Sequence, residues 1–421
     1  MPIARHGQLR SPGAVGQLLK LIGIAMAVVL VSGIGVATFV VGGMLNTVSA
    51  NAVQLDHQKE LPPDIAAYKG GFDILLTGVD TCEPKYAALF GQRCSGKDAG
   101  GTLNDVTMLV HVSSEPRRVT VVSFPRDLMI PIPSCTDANN RTYSAMSKQQ
   151  LNVAYEHGGE KGGLNCVAKT VSSLVGGEDI EFAAKVTFGG VIEITDAIGG
   201  VDVCLANPIK DRFTGLDMAA GDHTIQGLQA LQFLRTRHGV GDGSDLGRIS
   251  NQQQYMSSLV RKLVSGQVLG NVGTMLRLAD TGLNNLETST SLANPMTIAQ
   301  IALAVKDVPF QDFVFVQYPT MYDPADPNRV IPDKRNAKIL WDAITANSQL
   351  QITHENNSND GVVVKDPGPE TPADPATPTT SPTDAPTGTP TDAPTDVTQL
   401  PSAIKGTSAA QVTCSNGNVR R

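Results

Sequence analysis

The sequence lacks several features that would indicate common functions. It has no excess of positive charge, because 33 Lys and Arg residues are outnumbered by 40 Asp and Glu residues, giving a net charge of −7. A nucleic-acid-binding surface needs a basic stripe, so the balance argues against that partner. No C-x-x-C or H-x-x-x-H spacing is present, which argues against a zinc site. The G-x-S-x-G motif of serine hydrolases is also missing.

One apparent nucleotide-binding motif is incomplete. Residues 91–97 have the glycine and lysine spacing of a phosphate-binding loop, but Asp98 stands where a Ser or Thr would bind Mg²⁺. No strand directly precedes the first glycine, so the segment does not have the context of a nucleotide site.

Charge is absent from residues 21–45, which are apolar or small. The run is about long enough to cross a hydrocarbon core of ~30 Å as one helix. Three basic residues precede it and the first charge after it is Asp56, so the positive-inside rule places residues 1–20 in the cytoplasm. A cleaved signal peptide is the alternative, but its apolar region usually has only about 7–15 residues. We therefore predict a single-pass protein of the cell membrane with an extracytoplasmic domain.

All the cysteines follow that apolar run, on the side of the membrane where disulfides persist. They are Cys82, Cys94, Cys135, Cys166, Cys204 and Cys414. We expect the first two to pair, because they bracket a short loop. Pairing of the third with the fourth is plausible and would leave the last two, although spacing alone leaves the connectivity open.

The middle of the chain alternates between two periodicities. Apolar runs predict strands at 72–80, 106–112, 118–124, 183–188, 201–205 and 313–318. Helical patterns are present at 148–157, 167–175, 191–198, 226–235 and 249–264. This alternation predicts an α/β fold, a layered α-β-α domain with a central mixed sheet, preceded by one transmembrane helix.

These patterns divide the chain into segments. A spacer at 46–70 leads to an extracytoplasmic domain at 71–345 with its core at 71–265. Residues 366–400 are dominated by Pro, Thr, Asp and Ala, which predicts a disordered tether. Residues 401–421 form a short tail, and a bond from Cys414 back to the core would close the tether into a loop.

Charged residues are concentrated near the ends of predicted strands and helices, where α/β folds build sites. The segments are GVD at 78–80, NDVTM at 104–108, SFPRDL at 123–128, and LRTR at 234–237 followed by Asp245, Arg248 and Gln252. Singly, each acid is also explained as a turn residue or helix cap, and the arginines as a response to the helix dipole.

Taken together, the segments predict a pyrophosphate site. Two carboxylates suffice to hold Mg²⁺, because phosphate oxygens and water complete its coordination. Arg126, Arg235, Arg237 and Arg248 are more cations than a carboxylate pair needs, and guanidinium groups bind phosphate oxygens bidentately. A metal with an arginine cage would neutralise charge on the leaving phosphate.

The motifs resemble those of the LytR-CpsA-Psr family over roughly residues 71–265. The matching stretches are LLTGVD at 75–80, NDVTM at 104–108, VSFPRD at 122–127, LNVAY at 151–155 with Gly158 and Gly159, AIGGV at 197–201, GLQAL at 227–231 and RTR at 235–237, then Asp245, Arg248 and Gln252. The resemblance implies an anchored α/β domain whose hydrophobic pocket takes a polyprenyl chain. It implies a Mg²⁺-dependent phosphotransferase that moves a glycopolymer from a polyprenyl-pyrophosphate carrier onto a sugar hydroxyl of peptidoglycan.

The resemblance also implies roles for individual residues. Asp80 and Asp105 would ligate Mg²⁺ (or Mn²⁺). The predicted pyrophosphate-binding residues are Arg126, Arg235, Arg237, Arg248 and Gln252. Asp245 would orient these arginines, and Asp127 would orient Arg126 or assist in deprotonation. The predicted catalytic residues are Arg126, Asp127, Arg235, Arg237 and Asp245.

The sequence departs from the family pattern in two places. Leu103 stands where many members have arginine, and the interval between Asp80 and Asp105 contains an insertion bracketed by Cys82 and Cys94, a possible lid. Two other functions stay open. One is a non-catalytic wall-binding or regulatory protein on the same scaffold, and the other is a polyprenyl-pyrophosphate phosphatase with water as the acceptor.

Overall fold

The computed structural model describes residues 52–56, 62, 64–65, 67–90, 92–95, 101–264, 281–282, 285–354, 360–365 and 397–418. The predicted cytoplasmic segment and transmembrane helix (1–45) lie outside these ranges, as does the Pro/Thr-rich segment from 366 to 396. Within the described ranges, no helix has both the length and the apolar character needed to cross a membrane.

The described chain folds into short strands and helices. The strands are β1 (Phe72–Val79), β2 (Asn104–Val112), β3 (Val119–Phe124), β4 (Met129–Ile132), β5 (Cys135–Thr136), β6 (Thr142–Tyr143), β7 (Met146–Gln150), β8 (Phe182–Thr187), β9 (Val201–Leu205), β10 (Ile209–Asp211), β11 (Leu216–Met218), β12 (Gly221–Ile225), β13 (Leu286–Thr288), β14 (Phe313–Gln317), β15 (Thr320–Asp323), β16 (Asp326–Pro332), β17 (Gln349–Ile352), β18 (Val362–Val364), β19 (Val397–Leu400), β20 (Gly406–Ser408) and β21 (Thr413–Ser415). The helices are α1 (Gln92–Ser95), α2 (Ala154–His157), α3 (Gly163–Leu174), α4 (Phe188–Ala197), α5 (Gly227–Arg235), α6 (Asp245–Val264), α7 (Pro295–Val305) and α8 (Lys334–Thr345).

The central sheet has seven strands in the order β13-β8-β1-β2-β3-β14-β20. Two neighbouring pairs, β1 with β8 and β3 with β14, are parallel, and the other four are antiparallel. Every residue of β3 and β14 is buried, as expected for strands covered on both faces. The sheet is therefore mixed, as the sequence predicts.

Alternate side chains of this sheet enter two separate hydrophobic cores, because successive residues of a strand point to opposite faces. Leu109 and Val122 pack in a core that contains residues of α3 and α8. Met108 and Val121 pack in a second core, against residues of α6 and α7. Full burial of each such side chain contributes about 1.5–3 kcal/mol. The arrangement is a layered α-β-α domain, which confirms the predicted α/β fold with a central mixed sheet.

The C-terminal segment belongs to the folded domain. β20 extends the central sheet beside β14, and β21 joins a second sheet with the order β12-β9-β21-β18. Leu400, Ile404 and Ala409 are almost fully buried. The predicted tail at 401–421 therefore contributes buried residues to the domain, because several of its side chains have partners in the core. Residues 397–400, predicted to be the end of the tether, form β19 and pair with β17.

The disulfides fix this arrangement. All six cysteines are bonded, as Cys82–Cys94, Cys135–Cys166 and Cys204–Cys414. The expected Cys82–Cys94 pair is confirmed, and the structure decides the other two pairs, which the sequence leaves open. The third bond joins β9 to β21, so it ties the C-terminal segment to the domain and closes residues 366–396 into a loop.

The predicted spacer and one predicted helix differ from the structure. In the spacer at 46–70, Val53 and Leu55 are buried in the first core, and Ile65 in the second. The helix predicted at 148–157 is wrong at its first three residues, 148–150. There β7 pairs with β4, and helical structure begins only at the 3-10 turn Leu151–Val153. The partner strand supplies hydrogen bonds that the local sequence pattern does not reveal.

Candidate active site

A cavity of about 450 Å³ lies between the sheet and helices α4, α5 and α6. Its sheet side is formed by apolar residues such as Leu76, Met108 and Val186. The predicted site residues that also line it are Asp105, Arg126, Arg235, Arg237, Arg248 and Gln252. One cavity therefore combines a long apolar wall with a cluster of charged groups.

Helix α6 contributes residues to both the apolar wall and the charged end of the cavity. Arg248, Gln252, Tyr255, Met256 and Leu259 all line the cavity. Each lies three or four residues from another member of the set, which places them on one face of the helix, since the helix repeats every 3.6 residues. The face is polar near its N-terminus and apolar further along. One stripe of sequence therefore forms part of both the charged end and the apolar wall.

Asp105 is directed to the site by an irregularity between β1 and β2. Gly78 pairs with Val106 and Val79 pairs with Asn104, which leaves Asp105 as the extra residue of a β-bulge. Bulges of this kind re-aim side chains. Asp105 Oδ1 accepts a hydrogen bond from Nη1 of Arg126 at 2.8 Å.

Arg126 follows β3 and is surrounded by carboxylates. Besides Asp105, its Nε lies 3.7 Å from Asp245 and 3.8 Å from Asp127. Burial acts to lower the pKa of Arg126, but the charges of Asp105 and Asp245 outweigh it and raise the pKa. Arg248 joins the same network, with Nη2 2.8 Å from Asp245 and 2.8 Å from the backbone oxygen of Asp105. The predicted orienting role of Asp245 has this geometric basis.

Arg237 is held by a turn that Asp211 organises. Asp211 Oδ2 accepts hydrogen bonds from the Thr236 hydroxyl (2.8 Å) and from the backbone N–H groups of Arg237 (3.1 Å) and His238 (3.2 Å). Burial acts to raise the pKa of Asp211, but these bonds and that from the Phe213 N–H lower it. The carboxylate thus fixes the backbone that carries Arg237.

The insertion between Cys82 and Cys94 packs against α4 and Arg235. Phe90 lies 5.4 Å from Phe188, and the Arg235 guanidinium lies 4.3 Å from the Phe188 ring and 5.6 Å from that of Phe90. Glu83 accepts a hydrogen bond from the Gly189 N–H at 2.8 Å. The insertion therefore covers one side of a helix whose other residues line the cavity.

Several donors in the cluster have no acceptor. The Nε–H groups of Arg126, Arg237 and Arg248 are buried without a hydrogen-bond partner among the described residues. A buried donor without a hydrogen-bond partner lowers the stability of the fold by about 1–3 kcal/mol, and by more when the donor is charged. Three such donors in one cluster fit an anion that would accept them.

Gln252 and Asp80 have different surroundings. Gln252 is 3% exposed and donates from Nε2 to the Leu234 backbone oxygen at 2.9 Å, which links α6 to the end of α5. Asp80 follows β1 and its Oδ1 accepts from the Leu103 N–H at 2.9 Å. Asp80 and Asp105 flank the paired residues Val79 and Asn104, so both belong to the same end of the β1–β2 pair.

Mg²⁺ is compatible with this donor set. Both acids offer the oxygen ligands that Mg²⁺ prefers, and one or two protein carboxylates are sufficient when phosphate oxygens complete the shell. Over the described ranges there is no cluster of three or more His, Cys, Asp or Glu side chains suited to a metal.

Sequence reasoning missed two residues of the cluster. Asp211 precedes no recognisable motif, and only the fold brings β10 against the 236–238 turn. Arg329 lies on β16, far along the chain, and its Nη1 is 2.7 Å from Asp127 Oδ1. Asp127 thus contacts three guanidinium groups, since Arg126 and Arg237 each lie 3.8 Å from Oδ2.

Fold and site define an α/β domain in which an apolar cavity shares its wall with an arginine–aspartate cluster. The chain belongs to the LytR-CpsA-Psr family, whose model matches residues 38–339. The cell wall biosynthesis protein LcpA of Corynebacterium glutamicum is 31% identical over 272 residues, which cover 61% of this chain and 51% of LcpA. The polyisoprenyl-teichoic acid–peptidoglycan teichoic acid transferase TagU of Enterococcus faecalis is 26% identical over 232 residues, covering 55% of this chain and 65% of TagU.

Among solved structures, protein gbs0355 of Streptococcus agalactiae shares the fold. It superposes with a TM-score of 0.52 at 21% identity and covers 68% of this chain and 91% of that one. This chain spans about half the length of the first curated relatives it matches.

Proposed function

We propose that this protein is a phosphotransferase that attaches a cell-wall glycopolymer to peptidoglycan, taking it from a polyprenyl-pyrophosphate carrier. The observation that carries the proposal is the junction of an apolar cavity with an arginine cluster whose buried Nε–H donors lack acceptors. A lipid pyrophosphate has the same two parts, a long apolar chain and a multiply charged head. The names of the relatives, which include a teichoic acid transferase, support the same activity.

The cavity suits the lipid. Its volume of about 450 Å³ falls within the range of small-molecule pockets. Side chains of α4, α5 and α6 supply its apolar wall, and each methylene buried there contributes about 0.8 kcal/mol. The chain would therefore bind by burial of hydrocarbon, and its phosphates would be drawn toward the arginines.

The arginines would act on the pyrophosphate. Arg126, Arg237 and Arg248 offer charge-assisted donors, and charge that develops on the leaving phosphate is stabilised where such donors are already oriented. The hydroxyl oxygen of the acceptor forms a bond to the phosphorus nearest the polymer, and the bond from that phosphorus to the bridging oxygen breaks. Polyprenyl phosphate leaves with the bridging oxygen and its negative charge, and the proton of the hydroxyl is released to water.

Asp127 and Asp245 would orient the arginines. Asp127 is 6% exposed and contacts three guanidinium groups, and Asp245 contacts two. A carboxylate shared by several cations fixes their positions before substrate arrives, which is the preorganisation that catalysis requires. We assign both residues a positioning role.

Asp80 and Asp105 would hold Mg²⁺ or Mn²⁺. When bound, the ion would neutralise phosphate charge, in addition to the arginines. Asp105 would then contact both the metal ion and Arg126, because its Oδ1 already accepts a hydrogen bond from Arg126.

The site would operate outside the cytoplasm. Six bonded cysteines fit an oxidising compartment, where disulfides persist. We place the membrane anchor at residues 21–45, which would bring the domain to the surface where lipid carriers are found.

The proposal is tested with purified full-length protein and a lipid-linked glycan that is labelled in its sugar. Incubation with peptidoglycan should yield wall-bound label, and incubation without it should yield little product. Release of glycan phosphate at equal rates in both reactions would identify a phosphatase. Absence of any product, together with unaltered lipid donor, would reject an enzymatic role on this substrate.

A further inference from the structure

Arg329 extends the cluster beyond the cavity. We propose that Arg329 binds an anionic group on the glycan side of the donor, next to the pyrophosphate, and so contributes to the choice of polymer. This inference rests on the proposed function, because it assumes that the cavity holds the lipid and that the cavity-lining arginines hold the pyrophosphate.

Asp127 separates Arg329 from the other arginines. Its Oδ1 faces Arg329 at 2.7 Å, and its Oδ2 lies 3.8 Å from both Arg126 and Arg237. The carboxylate therefore has cations at both oxygens. Arg126 and Arg237 line the cavity, whereas Arg329 lies outside the set of described residues that do so.

This order of the arginines indicates how the lipid-linked donor would be oriented in the site. In a lipid-linked donor the sequence of groups is prenyl chain, two phosphates and glycan. A chain inside the cavity and phosphates at Arg126 and Arg237 leave the glycan to extend past Asp127. The Arg329 side chain is 30% exposed, so it is accessible to a group arriving from solvent.

Arg329 also has donors to offer. A guanidinium carries five N–H groups, and Asp127 takes only one close contact. The second ion pair, from Arg329 Nε to Asp326, spans 3.9 Å, which exceeds hydrogen-bond length. Asp326 is itself half exposed, so this pair contributes little.

A purely structural role for Arg329 is poorly supported. The hairpin β15–β16 is attached to the domain by the Val330 N–H, which donates to the Asp127 backbone oxygen at 3.4 Å, and by a bridge between Leu128 and Val330. Val330 is 9% exposed and packs in the first core. Lys148 fixes the other strand of the hairpin through Asp323 at 2.7 Å. The hairpin is therefore held without the guanidinium.

The experiment compares three ligands with the full-length protein in detergent. They are farnesyl pyrophosphate, farnesyl-pyrophosphoryl disaccharide, and the same disaccharide carrying a phosphate on its outer sugar. Binding is measured by calorimetry for the wild type and for Arg329→Ala, Arg329→Gln and Arg335→Ala. Arg335 is an exposed arginine of α8, and its removal makes the same change in net charge.

We expect Arg329→Ala to bind farnesyl pyrophosphate within about twofold of the wild type and the phosphorylated disaccharide about tenfold more weakly, as for loss of one charged hydrogen bond. In Arg329→Ala the affinity for the neutral disaccharide should fall less than the affinity for the phosphorylated one. Arg335→Ala should leave all three affinities unchanged. Arg329→Gln, which keeps a polar side chain, should show the same order of affinity losses among the three ligands. It replaces Arg329→Ala in the comparison if the alanine variant is unstable.

Three outcomes would overturn the inference. Equal weakening of all three ligands would mean that Arg329 acts only through Asp127, and unchanged binding of all three would mean that it contacts none of them. Equal loss with the neutral and phosphorylated disaccharides would reject recognition of charge. If the wild type fails to bind farnesyl pyrophosphate at all, the proposed function fails before Arg329 is tested, so the two failures are distinguishable.

Discussion

Arg237 offers the sharpest test of the arginine cluster, because its side chain can be removed without dismantling the site. Its guanidinium is one-third exposed and lies 3.8 Å from Asp127, beyond hydrogen-bond length. In Arg237→Ala, Asp127 keeps Arg329 at 2.7 Å. The backbone N–H of residue 237 keeps its bond to Asp211, since that bond does not involve the side chain.

The expected effects on activity and stability differ in size. Loss of one oriented donor to a developing anion costs about 10²–10³ in turnover, or roughly 2.7–4 kcal/mol. The free energy of unfolding should change by less than about 0.5–1 kcal/mol, as for a partly exposed side chain without a close partner. Arg237→Ala should therefore be folded and nearly inactive.

Arg126→Ala makes a matched contrast with the same change in charge. Arg126 bonds to Asp105 at 2.8 Å and lies within 4 Å of Asp127 and Asp245, and its side chain is 26% exposed. Its removal leaves Asp105 without that partner. We expect a loss of about 1–3 kcal/mol in stability, below the 3–5 kcal/mol of a fully buried pair, in addition to the loss of activity.

The assay combines transfer of labelled glycan to peptidoglycan with urea denaturation of each variant. Arg335→Ala serves as the surface control and should match the wild type in both measurements. Turnover of Arg237→Ala within a factor of three of the wild type would refute the assignment of this residue. A loss of activity that only follows unfolding would refute the argument from preorganised donors.

Three further predictions concern the metal, one partly buried histidine and one disulfide. EDTA should abolish transfer and added Mg²⁺ should restore it, and Asp105→Asn should stay folded but inactive; activity that is indifferent to chelation would reject the metal. Burial acts to lower the pKa of His111, but its hydrogen bond to Asp73 and the neighbouring acidic charges raise it. The folded-state pKa is then above the unfolded value, so the pair stabilises the protein at low pH and this contribution is lost as pH rises through the folded pKa. His111→Gln should therefore lower stability more at about pH 5.5 than at about pH 9, and equal losses in urea at both pH values would contradict this sign. Serine at both Cys204 and Cys414 should lower the free energy of unfolding by about 2–4 kcal/mol, because this bond restricts the unfolded chain; an unchanged urea midpoint would be inconsistent with it.

Much of the fold could be predicted from local patterns. The run ending at Asp80 and the runs before Ser113 and Arg126 become β1, β2 and β3, because continuous apolar segments bounded by turn residues are typical of buried strands. The helix predicted at 249–264 begins four residues earlier, at Asp245. The helix predicted at 148–157 is wrong where β7 forms, since pairing with β4 outweighs helical spacing.

The site was predictable to the extent that its residues occur in short motifs. Arg126 belongs to one predicted segment and Arg237 and Arg248 to another, and the structure brings all three to one cavity. Arg329 carried no such signal, because it lies on a hairpin whose position depends on Leu128 and Val330. Its proximity to Asp127 is a property of the folded chain alone.

The sequence by itself determined the apolar strands β1, β2, β3, β8, β9 and β14, the helices α3 to α6, the first cysteine pair and the charged motifs, because these depend on periodicity and on residue type. The tertiary structure determined which residues from distant parts of the chain lie close together. It packed the C-terminal segment against β14 and β9, it re-aimed Asp105 through a bulge, and it joined Arg329 to Asp127. Contacts between distant segments depend on how the sheet and helix layers pack together, and no local sequence pattern encodes that packing.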